Sequence, residues 1–151
     1  MPDPFQLALM PEAFRLTAPE PLERDLQASL VDVLAKLLLP PAFFFSAAIG
    51  ATRLTEQQAA ALTRAGVKRG IPDLLLLHAG KLHGLELKTR KGRLSKTRVV
   101  HTRRGSPRIL EGQEDVFPQL RAAGMEIAIA HTVDEALAVI RGWHIPLRRF
   151  A

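Results

Sequence analysis

The stretch Gly70-Ile71-Pro72-Asp73-Leu74-Leu75-Leu76-Leu77, followed by Gly84-Leu85-Glu86-Leu87-Lys88, decides how this chain reads. Leu74 to Leu77 is a continuous apolar run between Pro72 and the turn residues Ala79-Gly80. Leu82 to Lys88 follows with alternating character. The pattern predicts two buried strands joined by a tight hairpin turn. Side chains two apart leave a strand on the same face. Glu86 and Lys88 therefore share one face, and Leu85 and Leu87 turn to the other, toward a core. Pairing of the two strands brings Asp73 within reach of Glu86.

Two carboxylates and an ammonium at the end of a buried sheet are costly to desolvate. A hard divalent cation offsets that cost. Mg²⁺ takes a few carboxylates, retained waters and phosphate oxygens. It lowers the pKa of a bound water and neutralises charge on a phosphate. Lys88 could orient that water or steady developing negative charge. These are the parts that phosphodiester hydrolysis needs. The same spacing also suits a buried ion pair between Lys88 and Glu86 or Asp73. Spacing alone favours the ion pair, because D…E-x-K is short and common.

Outward from this segment, the elements read as an alternation. Leu22, Leu26, Leu30, Val33, Leu34, Leu37 and Leu38 recur at helical spacing and predict an amphipathic helix ending before Pro40. Phe43-Phe44-Phe45 starts a buried strand. Thr55 with Gln58 has the form of a capping box and opens a helix running to Gly66. Residues 90–108 lack hydrophobic periodicity and read as one long basic loop, which at this length is functional or disordered. Ile109 to Ala123 reads as a helix kinked by Pro118, Glu126 to His131 as a strand, and Val133 to Arg141 as a helix opened by Thr132. Residues 1–19 carry four prolines and read as an irregular lead-in. The order α-β-α-β-β-α-β-α implies a single α/β domain with a mixed central sheet flanked by helices.

Composition bounds the answer. A chain of 151 residues with 47% hydrophobic and 24% charged residues suits one globular domain. With no cysteine, disulfide scaffolds, Cys-ligated zinc, iron–sulfur clusters and thiol nucleophiles are excluded. Leu37 to Ala51 is the most apolar region, and it falls short of the ~20 residues a spanning helix needs. Asp3 precedes the first apolar patch, which therefore does not read as a signal peptide. A soluble, cytoplasmic protein with no membrane partner is expected.

The net charge of +6 belongs to one segment. Lys88 to Arg108 holds nine Lys or Arg and no acid, while elsewhere acids outnumber bases by 15 to 12. So concentrated a positive field points to a polyanion, most often nucleic acid. Lys68, Arg69, Arg90, Lys91, Arg93, Arg103 and Arg104 are the candidate phosphate contacts, which would position a substrate without reading its sequence. Taken singly, each reads more readily as a solvated charge; the cluster beside the Glu86-x-Lys88 strand is what points to phosphate. The five histidines are scattered, and no glycine-rich phosphate loop or nucleophile elbow is present. Aromatic residues at 5% do not favour a base-stacking platform.

Asp73, then Glu86-x-Lys88, preceded by Gly70-x-Pro72 and followed by Gly92, Leu94 and Ser95, resembles the PD-(D/E)XK nuclease core, and more closely its VRR-NUC branch. The likeness runs from about Glu23 onward. It implies a restriction-endonuclease-like core over residues 20–151, with the basic loop of residues 90–108 as an insertion. It implies a Mg²⁺-dependent endonuclease acting on DNA, with Mn²⁺ able to substitute. Asp73, Glu86, Lys88 and Gln113 would be the catalytic residues. Glu23, Asp73, Glu86 and the Leu87 backbone carbonyl would hold the metal.

Glu23 equally suits a carboxylate favoured by a helix N-terminus. Arg98 stands where the family usually has a Gln soon after the Leu-Ser exit. Gln113 heads the better-matching helix, with a surface position as the less favoured alternative. The resemblance further implies a taste for junctions, flaps or branched DNA, as in repair and phage or bacterial nucleases. By analogy, a two-fold four-way (Holliday) junction would suit a homodimer. The rival readings are a nucleic-acid-binding module without catalysis on the same fold, and an assembly protein whose basic loop docks an acidic partner.

Overall fold

Leucines at three- and four-residue spacing along Glu23–Leu37 form helix α1, whose buried stripe is Leu26, Leu30, Leu34 and Leu37. A computed structural model gives the fold and describes residues 22–47 and 54–149. The expected lead-in over residues 1–19 lies outside the described residues. After a turn through Pro40 and Pro41 comes the short strand β1 (Phe43–Phe45). Helix α2 (Glu56–Arg64) opens on the expected capping box: Thr55 Oγ1 accepts from Gln58 N, and Thr55 N donates to Gln58 Oε1.

Strands β2 (Leu74–His78) and β3 (Lys81–Leu87) pair antiparallel in the register Leu74↔Leu85 to His78↔Lys81. Their two-residue turn places both Ala79 (φ 49°) and Gly80 (φ 76°) in the left-handed region, which matches the twist of a tight hairpin. Further along, helix α3 (Gln113–Ala122) leads to strand β6 (Glu126–Ala130) and helix α4 (Val133–Gly142). Thr132 Oγ1 accepts from Glu135 N and caps α4.

The central sheet runs β1-β2-β3-β6, antiparallel except for the parallel β3–β6 pair. A parallel neighbour needs a crossover connection, and the segment containing α3 supplies it. The fold is thus a mixed sheet flanked by helices, in one domain. One sheet face carries Leu74, Leu76, Leu85 and Leu87, all fully buried, against α1 and the Ala136, Leu137 and Ile140 side of α4. Each such leucine contributes about 1.5–3 kcal/mol of hydrophobic stabilisation. On the other face, Gly84 packs under Pro72 and Met125 where a Cβ would collide with the proline ring. Among the described residues, no helix is long and apolar enough to cross a membrane.

Three expectations need correction. Residues 90–108 are not one structureless loop. Strand β4 (Arg98–His101) pairs antiparallel with β5 (Pro107–Leu110) as a two-stranded ribbon, which is not hydrogen-bonded to the central sheet. Its turn is closed by Thr102 N donating to Ser106 O and Gly105 N to Thr102 O. The β-branched residues Val99, Val100 and Ile109 favour the extended ribbon. Its register places Val99 opposite Ile109, both exposed, and Val100 opposite Arg108, both half-buried, so each face mixes apolar and polar residues and no alternating pattern is imprinted on the sequence. Second, the helix expected from Ile109 starts at Gln113, because Ile109 and Leu110 belong to β5. Third, Leu77 is exposed although its run of leucines reads as buried throughout, and so are Phe43 and Phe45 of the expected buried strand: β2 is covered on both faces only at its start, and β1 is the edge of the sheet.

Candidate active site

Pro72 has no N–H to give a ladder, and the β2–β3 pairing ends at Leu74↔Leu85. The next inward amide on β3, Leu87 N, lacks a strand partner. The side chain of Asp73 takes that place: Oδ2 accepts from Leu87 N at 2.8 Å. Reciprocally, Asp73 N donates to Glu86 Oε2 at 3.2 Å. In an extended strand a residue's N–H and C=O project to the same side, so the Leu87 carbonyl also faces the Asp73 side. Two carboxylates and one carbonyl thus converge where the hairpin's ladder stops.

Glu86 is fully buried. Its Oε1 accepts from Lys88 Nζ at 2.8 Å and from Gln113 Nε2 at 2.5 Å. Lys88 also lies 3.6 Å from Glu23 Oε2. Its strand end is fixed by Lys88 N donating to Ala130 O and by a 2.9 Å contact between Lys88 O and His131 Nδ1. Glu23, on the first turn of α1, reaches Lys88 and accepts weakly from Thr89 N at 3.4 Å. Gln113 is buried and pinned from behind. Its Oε1 accepts from Ser95 N, and its N donates to Ser95 Oγ. The start of α3 is further tied by Thr97 Oγ1, which accepts from Gly112 N and donates to Asp115.

Burial raises the pKa of both carboxyls, because the charged form loses hydration. For Asp73, the bond from Leu87 N and the Lys88 charge oppose the rise without cancelling it. For Glu86, burial is joined by the Asp73 charge and outweighs the help from Lys88 and Gln113. Burial disfavours the Lys88 ammonium too. There the Glu86 hydrogen bond, with the charges of Glu86, Glu23 and Asp73, wins and holds the lysine above its ordinary value.

The donor set fits a hard divalent cation that keeps several waters, through Asp73, Glu86 and the Leu87 carbonyl. It is not a closed cage. Among the described residues no three His, Asp or Glu groups are placed to enclose a metal unaided. Glu23 meets Lys88 and Thr89 rather than the other carboxylates.

The expected phosphate contacts divide. Lys68 and Arg69 line a cavity of about 240 Å³ whose wall includes Asp73. Arg90 lies 3.4 Å from Glu135, beside α4. Lys91 and Arg93 are exposed on the segment after β3, and Arg103 and Arg104 are exposed in the ribbon turn. Sequence reasoning missed Ser46, whose Oγ donates to Asp73 O at 3.0 Å while Gln27 donates to it. It also missed His131 behind Lys88, and Arg108 in the cavity wall. The His131 contact joins residues 43 apart, which no local pattern marks. No family model matches the chain, and no curated protein or solved structure matches it either.

Proposed function

We propose that this chain is a Mg²⁺- or Mn²⁺-dependent endonuclease that hydrolyses DNA phosphodiester bonds on a restriction-endonuclease-like core of the VRR-NUC type. One observation carries the reading. Two carboxylates, both pushed up by burial, share a strand end with a backbone carbonyl and a lysine, and a cationic cavity opens beside them. Ionised carboxylates in so dry a place are costly without a cation, and active sites are where such costs are tolerated.

A bound divalent cation supplies a lowered water pKa and neutralises charge on the scissile phosphate. The chain's own groups do the rest. Asp73 and Glu86 hold the cation in their ionised forms. Gln113 fixes the rotamer of Glu86 through its 2.5 Å bond. Lys88 orients the attacking water and donates toward the negative charge that develops on the phosphate. Lys68 and Arg69 position the DNA backbone. The preference for branched or flapped DNA, and a homodimer on a two-fold junction, belong to this proposal through the resemblance alone.

The second reading is a non-catalytic DNA-binding module. It is favoured by the 2.8 Å contact between Lys88 and Glu86, which is also what a structural ion pair looks like. A cleavage assay separates the two. Labelled duplex, single strand, flap, splayed arm and four-way junction are incubated with Mg²⁺, Mn²⁺ or EDTA, using wild type, Asp73→Ala and Lys88→Ala. Metal-dependent cutting that both substitutions abolish is the expected result. DNA binding with no cutting of any substrate by wild type would establish the module instead.

A further inference from the structure

The cavity beside Asp73 has a lining of two kinds. Leu62 and Val67 are apolar, and Lys68, Arg69 and Arg108 are cationic. Arg108 differs from the other arginines of the ribbon. Arg98, Arg103 and Arg104 are exposed, whereas Arg108 is half-buried. Its Nη2 donates to Thr63 Oγ1 on α2 at 3.1 Å, which holds the guanidinium against the cavity. Two further hollows adjoin it. One is shared by Arg108, Lys68 and Arg69, and the other by Arg108, Arg64 and Arg104. Among the described residues, Glu111 and Glu56 are the acidic residues of these outer hollows, and Asp73 is the one acid of the inner cavity. A cationic path therefore runs from Asp73 between α2 and the ribbon toward Arg104, with Arg108 in all three hollows.

Size limits what fits. The inner hollow, about 240 Å³, has room for a single sugar–phosphate unit with part of its base, whereas a base-paired duplex could lay only its backbone across the opening. The chemistry agrees with the size. A phosphate suits the planar donor fork of Arg108, and the apolar lining suits a sugar or the face of a base.

We propose that the cavity between α2 and the ribbon is a nucleotide subsite, which takes one unpaired nucleotide flanking the scissile phosphate and grips its phosphate with Arg108. Leu62 and Val67 pack on its sugar or base. Thr63 is a positioning residue for the Arg108 guanidinium. The inference rests on the nuclease reading and deepens it. The substrate class becomes DNA with an unpaired nucleotide at the cut, rather than continuous duplex.

The test uses fluorescence anisotropy in EDTA, with the full chain and two labelled probes: a short single-stranded oligonucleotide and a blunt duplex. Arg108→Ala is expected to weaken single-strand binding about tenfold. It should also shorten the salt dependence by about 0.7 in slope, the loss of one phosphate contact. Thr63→Val should give a smaller loss in the same direction. Leu62→Trp, which fills the cavity, should weaken the single strand and leave the duplex within about twofold. Lys36→Ala, on the exposed side of α1, should change neither probe.

Should Leu62→Trp fail to fold, Arg108→Ala and Thr63→Val still decide. Equal losses on both probes, or no loss on either, would overturn the subsite. If wild type cuts DNA while Arg108→Ala and Leu62→Trp bind like wild type, the subsite falls and the nuclease reading stands. If unpaired DNA binds through Arg108 and Leu62 but nothing is cut, the subsite stands and the nuclease reading falls.

Discussion

Asp73 Oδ2 accepts a hydrogen bond from Leu87 N at 2.8 Å, one step beyond the last β2–β3 ladder pair. The carboxylate thus serves the fold as well as any cation. Leu87 is fully buried, so Asp73→Ala leaves its amide without a partner and costs about 1–3 kcal/mol. Asp73→Asn keeps an acceptor oxygen and loses the charge. It is expected to unfold in urea within about 1 kcal/mol of wild type and yet to lose all divalent-cation-dependent cleavage. Equal destabilisation by the two substitutions would show that the Leu87 bond is not what Asp73 contributes to stability.

Lys88 and Glu86 form a pair in which the carboxylate is the fully buried member. Lys88→Met leaves Glu86 with the bonds from Asp73 N and Gln113 and no cation beside it. The expected loss is about 3 kcal/mol near neutral pH, because an uncompensated buried charge is costly. Combining it with Glu86→Gln removes the charge as well, so the double variant should recover much of that loss. Urea melts of the single and double variants give the coupling directly. Strictly additive losses would mean that the pair contributes nothing as a pair.

Gly112 is the N-cap residue of α3, and the chain at Ser95 and Lys96 crosses directly over it. A Cβ there meets the backbone of both residues, which cannot rotate away. Gly112→Ala should cost about 1–3 kcal/mol. It should also displace Ser95, whose N–H bonds to Gln113, and so loosen Gln113 from Glu86. Cleavage by the folded fraction is therefore expected to fall as well. Gly142→Ala, where a Cβ meets nothing within 4 Å, is the control and should melt within about 0.5 kcal/mol of wild type. A Gly112→Ala variant as stable and active as this control would dismiss the close crossing.

What could be read in the sequence is what short range determines. The Ala79-Gly80 turn, the Thr55–Gln58 capping box and the shared face of Glu86 and Lys88 each follow from a few neighbouring residues. The ribbon could not be read, because its open face carries Val99 and Ile109 while its half-buried face carries Val100 and Leu110 together with Arg98 and Arg108, so apolar and basic residues do not alternate. Arg108 looks like any other base in a charge run. Only the Thr63 hydroxyl, 45 residues earlier, sets it apart. Ser46 is similar: nothing around it in the chain announces that its hydroxyl meets Asp73 O, 27 residues on.

Burial raises both Asp73 and Glu86 above their ordinary carboxylate values, so the native state binds protons more tightly than the unfolded chain does. The sign of the linkage follows. The stability that these two protons confer is fully present below the ordinary carboxylate range of about 4, and it is lost as pH rises through the raised values. Metal-free protein should therefore lose stability across that window. A divalent cation needs both groups ionised, so its binding releases protons and strengthens with rising pH over the same window. In EDTA, the contribution of this pair to Tm should decline as pH increases. With millimolar Mg²⁺ the decline should shrink, and the Mg²⁺-induced rise in Tm should be larger at pH 8 than at pH 5. In Asp73→Asn with Glu86→Gln, neither the decline nor the Mg²⁺ effect should remain. A Mg²⁺ shift of equal size at both pH values would mean that the cation binds somewhere other than between these two carboxylates.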